Sequence, residues 1–163
     1  IATGWNQGEL SELGRKQCVN LKNLIKGQKF DAIFCSDLKR AVDSAILVFG
    51  NDIIKDKRLR ECNYGDLNGS NSEKTEPLTI EHLSRPFPHG ESYKDVENRV
   101  RDFLKDLLPK YSGKKIAVIS HRGPQLVLDV ILKDKTWKQA IAEDWRLKEP
   151  KEWRPGWIYE FSR

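Results

Sequence analysis

The chain has 163 residues, 38% of them hydrophobic and 33% charged, a span that suits one domain and is short for two. That balance excludes collagen-like and wholly disordered chains, and the longest apolar run, Ala45 to Phe49, falls far below the roughly twenty residues a membrane helix needs. Lys and Arg number 29 against 24 acids, and the net +5 is spread along the chain, which weakly favours anionic partners without indicating nucleic-acid binding.

Residues Ile1 to Leu10 carry Gly4, Asn6 and Gly8 and read as loop. Ser11 then caps a predicted helix with Leu13, Cys18, Leu21, Leu24 and Ile25 on one face and Gly27 at its end. Phe30 to Cys35 is a short apolar run with polar flanks, a buried strand. Ser36 or Asp37 is expected to cap a second helix through Ala41, Ala45, Leu47 and Val48, before Gly50. A second strand falls within Ile53 to Leu59. From Gly65 to His89 the composition turns to Asn, Ser, Glu, Pro and Gly, so loop is expected, with a short helix near Leu78 to Leu83. Ser92 opens a long amphipathic helix through Val96, Val100, Phe103, Leu104, Leu107 and Leu108, with Pro109 as its stop. Lys115 to Ser120 is the clearest buried strand, a helix over Leu126 to Leu132 follows, and Trp157 to Phe161 reads as a last strand. Strands alternating with helices indicate an α/β fold with a largely parallel sheet in one domain.

Three scattered cysteines (Cys18, Cys35, Cys62) fit neither a disulfide framework nor a zinc spacing, which favours a reducing, cytoplasmic setting. No basic leader precedes an apolar stretch. The chain has no methionine, not even at its first position, so residues are expected before Ile1.

Open α/β sheets bind ligands at the carboxyl ends of their strands, where helix amino ends point. Two strand ends carry suitable residues: His121 follows Ile119-Ser120 directly, and Arg40 lies in the first turn after Cys35-Ser36-Asp37. A cation there opposes the helix dipole, so local stability does not explain Arg40, whereas an anion held at the terminus does. The plainer alternatives are a surface Arg40 and a hydrogen-bonded structural His121. Glu61, just past the second strand, is either a solvated charge or a proton donor beside the anion. His82 and His89 form no metal pattern with His121 and are taken as surface residues, and the tryptophans from Trp137 to Trp157 as packing and pocket walls.

Five segments, in order, resemble the histidine phosphatase superfamily with its phosphoglycerate mutase-like fold. They are Thr3-Gly4-Trp5 with Leu10 to Gln17; Cys35-Ser-Asp-Leu-Lys-Arg40-Ala; Leu59-Arg-Glu61 with Tyr64-Gly65 and Gly69; Pro88-His-Gly90-Glu91-Ser92; and Ser120-His121. Two departures stand out. The family's Arg-His-Gly motif, which ends its first strand and bears the nucleophilic histidine, is absent from these residues and is expected upstream of Ile1. Where the family often has Gly after its second histidine, this chain has Arg122, either a further donor to the phosphate pocket or a surface residue.

The resemblance implies a three-layer α/β/α fold with a mostly parallel sheet, one domain over residues 1–163 that lacks its first strand. That strand would lie between Lys115–Ser120 and Trp157–Phe161, leaving those two unpaired and roughly 10 Å apart. It further implies a metal-independent, cofactor-free phosphomonoesterase acting on a small phosphorylated metabolite through a phosphohistidine. Arg40 and His121 would hold the phosphoryl oxygens, Glu61 would act as acid and base, and Thr3, Gly4 and Arg122 would line the substrate site. A phosphoglycerate-type mutase is the alternative, or a non-catalytic phospholigand-binding protein if the upstream histidine is absent. The expected partner is the substrate, with no nucleic acid or membrane, and a homodimer is the assembly to test.

Overall fold

The computed structural model, which describes residues 2–147, 156 and 158–160, sets three parallel strands between two helical layers. The strands are β1 (Ala32–Cys35), β2 (Ile54–Lys55) and β3 (Ile116–Ile119), in the order β2-β1-β3. β1 is central: Phe34 and Cys35 pair with Ile54 and Lys55, and Ala32 to Cys35 pair with Ile116 to Ile119. Side chains alternate along β1, so its two faces serve two cores. Phe34 meets Phe103 and Tyr111 edge-on, each ring 5.5 Å away, on the face covered by α4 (Tyr93–Lys110) and α5 (Arg122–Leu132). The other face is covered by α1 (Glu12–Leu24) and α2 (Lys39–Phe49). A strand buried on both sides must be apolar throughout, which is why Ala-Ile-Phe-Cys shows no polar alternation.

Helix boundaries follow the caps in most places. Ser11 accepts a bond from the Gly14 amide at 3.1 Å, and Ser92 with Asp95 forms a reciprocal capping box at the start of α4. Four expectations shift. The N-cap of α2 is Leu38, because Ser36 turns its Oγ inward to accept from the Leu38 amide (3.3 Å) and Asp37 is taken by Arg60. Pro109 lies inside the last turn of α4, where its missing N–H removes only one bond near a frayed end. α5 begins at Arg122 rather than Leu126. On α1, Cys18 is buried while Leu13 and Leu24 are 65% and 61% exposed, so the buried stripe is narrower than the apolar pattern.

Between Gly65 and His89 the chain is more structured than its composition suggests. It forms 3-10 turns at Gly65–Leu67 and Pro77–Thr79 and one helical turn, α3 (Ser72–Thr75), whereas 80–83 are turns and not helix. His82, expected at the surface, is buried: its ring stacks on Phe87 at 3.8 Å and its Nδ1 lies 2.9 Å from the Arg85 carbonyl. His89 is exposed beside Asp66, as expected. A further helix, α6 (Trp137–Ala142), starts at a Thr136–Gln139 capping box, and Trp137 packs on Tyr93 at 5.8 Å. Of the expected last strand, Trp157 and Phe161 lie outside the described residues, and 158–160 are not in a strand. Among the described residues β3 is paired with β1 alone.

Gly65 joins the turn at Pro88 to the segment that carries Glu61. Its φ is +54°, and a Cβ there would collide with the Pro88 carbonyl. Gly113 has φ +71° but open space around it. Gly65→Ala should therefore cost about 3 kcal/mol or more, against about 1 kcal/mol for Gly113→Ala, as read from urea unfolding midpoints. Equal costs would show that the Pro88 contact relaxes freely.

Candidate active site

Because the three strands are parallel, their carboxyl ends share one edge, and the segments leaving them deliver side chains to the same place. β1 leads to Arg40 in the first turn of α2, β2 leads to Glu61, and β3 leads to His121, the N-cap of α5. The segment before Glu61 is tied to β3 by Ser120 Oγ, which donates to the Leu59 carbonyl at 2.7 Å.

Glu61 is buried, and amides hold its carboxylate. Oε1 accepts from Cys62 (2.8 Å) and Gly123 (2.9 Å), and Oε2 from Arg122 (3.1 Å), the last two being orphan donors at the amino end of α5. A Cβ at position 123 would stand 2.5 Å from Oε1, so the close approach requires glycine. The Glu61 carbonyl is fixed as well, accepting from Trp5 Nε1 (2.8 Å) and Arg99 Nη2 (2.9 Å).

Arg40 is half-buried and ties the first loop to the sheet, its Nη2 donating to the Gly4 carbonyl (2.8 Å) and Nη1 to that of Asn6 (3.1 Å). Burial lowers its proton affinity, and the Glu61 carboxylate works in the opposite direction. Thr3 is half-buried and its carbonyl accepts from the Asn6 amide, closing the turn over Gly4. Gly4 has φ +53°, and a Cβ there would run into Asn68, whose Oδ1 accepts from the Trp5 and Tyr64 amides, so the position requires glycine. The loop thus lies against the segment that follows Glu61.

His121 has a buried Nε2 that finds no hydrogen-bond partner among the described residues. Burial first, then the positive charges of Arg40 and Arg99, push its pKa down to about 3, so the ring is neutral at physiological pH. The Glu61 carboxylate acts on Arg40 and Arg40 on His121, while the Arg122 and Gly123 amides fix Glu61 against the helix end that His121 caps. Arg122 contributes its backbone amide to Glu61, while its guanidinium enters the interior, bonded to Asp144; it is not the surface residue of the plain reading. Among the described residues, no group of three or more His, Cys, Asp or Glu could hold a metal ion.

Sequence reasoning missed Arg99. It forms a two-pronged pair with Glu91 (3.0 and 3.1 Å) and donates to the carbonyls of Arg58 and Arg60 (both 2.7 Å) as well as Glu61. The signal was available: Arg99 stands three residues after Val96 and four before Phe103, a cation on the border of an apolar stripe. Asp37 is likewise committed, held by Arg60 at 2.7 and 2.6 Å and kept below the usual carboxylate range, while Arg60 stacks over Trp5 at 4.7 Å.

The state of His121 has a consequence for stability. Unfolding frees the imidazole to titrate near its ordinary pKa of about 6.5, so between pH 6.5 and 3 the unfolded chain binds the extra proton. This residue's contribution is therefore fully present above pH 6.5 and lost as pH falls toward 3. In phosphate-free buffer, His121→Gln should flatten the fall in urea midpoint over that window relative to wild type. An unchanged slope would mean that His121 charges freely in the folded protein.

The sequence profile of the histidine phosphatase superfamily (branch 1) matches residues 1–148. The chain is 32% identical over 160 residues to a 2,3-bisphosphoglycerate-dependent phosphoglycerate mutase of Methylorubrum populi, covering 87% of this chain and 76% of that relative. It is 35% identical over 164 residues to the enzyme of the same name from Rhizobium meliloti, covering 87% and 78%. Among solved structures, a mycobacterial glucosyl-3-phosphoglycerate phosphatase superposes with a TM-score of 0.72 at 26% identity, over 86% of this chain and 74% of that one. The expected α/β architecture, with parallel strands and a phosphoglycerate mutase-like arrangement, is thus the one present. The chain belongs to the histidine phosphatase superfamily.

Proposed function

We propose that this protein is a metal-independent phosphomonoesterase acting on a small phosphorylated metabolite through a phosphohistidine. The observation that carries the proposal is the convergence of Arg40, Glu61 and His121 at one sheet edge, with an unpartnered His121 nitrogen and α5 amides beside them. Such a site suits a phosphoryl dianion: Arg40 supplies a charged fork, and the neutral His121 supplies a ring donor. The superfamily's Arg-His-Gly histidine, placed by resemblance before Ile1, is the nucleophile. Its ring nitrogen forms the bond to phosphorus as the ester oxygen leaves with a proton from Glu61. Water then attacks the phosphohistidine, returns a proton to Glu61, and frees inorganic phosphate and the histidine. Thr3 and Gly4, fastened to Arg40 through the first loop, line the entry.

The similarity to phosphoglycerate mutases favours a second reading, transfer back to an acceptor hydroxyl. A mutase must keep water from its phosphoenzyme, and residues 70–90 offer only short turns with which to cover it. Hydrolysis is therefore preferred, in line with the phosphatase named among the structural neighbours. Three free cysteines support a cytoplasmic setting.

With the full-length protein, Glu61→Gln should lower turnover of phenyl phosphate by about 100-fold, and of p-nitrophenyl phosphate by much less, since a stable leaving anion scarcely needs the proton. Equal losses would leave Glu61 a structural residue. Arg40→Ala should raise the Ki of inorganic phosphate by about 10-fold or more, and a chelator should leave turnover unchanged. A phosphate Ki indifferent to Arg40, or activity lost to chelator and restored by a divalent ion, would reject the mechanism.

A further inference from the structure

Arg122 uses only part of its guanidinium. The side chain is 8% exposed; Nε donates to Asp144 Oδ2 at 2.7 Å, and Nη1 reaches Thr79 Oγ1 (3.2 Å) and Tyr93 Oη (3.4 Å). Nη2 is buried and, among the described residues, has no hydrogen-bond partner. Guanidinium groups donate and never accept, so two N–H bonds point into the interior with no acceptor among the described residues, a condition native proteins rarely carry.

The ion pair with Asp144 accounts for the Nε edge of the guanidinium and leaves Nη2 unexplained. Asp144 is held independently through Oδ1 by Arg146 Nη1 at 2.8 Å, so its charge is compensated without Arg122. Thr79 Oγ1 donates to the Glu76 carbonyl at 2.7 Å and can therefore only accept from Arg122. Thr79 and Tyr93 are fully buried walls. Arg122 itself links this region to the proposed reaction centre: its amide donates to the Glu61 carboxylate while its guanidinium faces Thr79, Tyr93 and Asp144. A leaving group protonated by Glu61 would extend from that point.

We propose that Arg122 is a specificity-determining residue whose free Nη2 edge receives a second anionic group, a carboxylate or phosphate, carried by the leaving group of the substrate. The inference rests on the phosphomonoesterase reading above. It differs from a general phosphate-holding role, because the donor in question lies beyond Glu61 and away from the bonds that Arg40 makes.

The test uses the full-length protein and three substrates: propyl phosphate, 2-carboxyethyl phosphate and propane-1,3-diyl bisphosphate. Wild type should prefer one of the anionic pair over propyl phosphate by about 10-fold or more in kcat/KM, and the preferred one names the group. Arg122→Met should cut that ratio by about 10-fold. Arg122→Lys, which keeps a cation for Asp144 but lacks the free fork, should also lower it, and it serves if the methionine variant does not fold. No preference in wild type, or a ratio unchanged in the variants, overturns the proposal and leaves the edge to a buried water. If wild type turns over no phosphomonoester, the enzymatic reading has failed, and the subsite is then judged by calorimetric binding of propylphosphonate against 3-phosphonopropionate. An affinity gain from the carboxylate that disappears in Arg122→Met sustains the subsite; no gain, or one that persists, rejects it.

Discussion

All five N–H donors of Arg99 are engaged, and the site depends on where they go. Two hold the Glu91 carboxylate; the other three hold the carbonyls of Arg58, Arg60 and Glu61, in the 3-10 turn Lys57–Leu59 and the irregular segment that follows it. Glu91 in turn accepts from the Asn63 amide, so one ion pair clamps the chain on both sides of Glu61. The clamp comes from α4, the helix packed most deeply in the core through Val96, Val100 and Phe103. Position is thus transmitted from a rigid element to a loop residue by charge-assisted bonds rather than by local propensity.

That clamp delivers Glu61 to a place where its carboxylate meets the amino end of α5. Helix termini leave amides without internal partners, and here two of them find the acid. The same terminus begins with His121, kept neutral by burial and by the cations Arg40 and Arg99. A neutral ring nitrogen, a buried carboxylate and a half-buried guanidinium thus form a mixed set of donors and acceptors, which is what the proposed chemistry would use.

Two arginines occupy the first turns of two helices, where the dipole disfavours both. Arg40 offsets this by bonding the carbonyls of the first loop, so the same cation also fixes that loop against the sheet. Arg122 offsets it in the interior with Asp144, beneath the Pro77–Thr79 turn. The segment from Gly65 to His89, unpromising in composition, is thereby drawn into the core through Thr79, His82 and Phe87.

The alternation of elements is written locally in the chain, because apolar runs such as Ile116–Ile119 and capping residues such as Ser11 and Ser92 act over a few neighbours. The sequence also marked Arg40, Glu61 and His121, since each follows a strand and the strands of such a fold run parallel. Tertiary structure decided what lies beyond that range. Arg99 and Glu91 are eight residues apart and reach a segment some forty residues distant in the chain, so no local pattern shows their bonds. His82 looks like a loop residue until Phe87 stacks on it. Arg122 could have faced solvent; it points inward because Asp144, Thr79 and Tyr93, remote from it and from one another in sequence, meet there to form an enclosure that only packing creates.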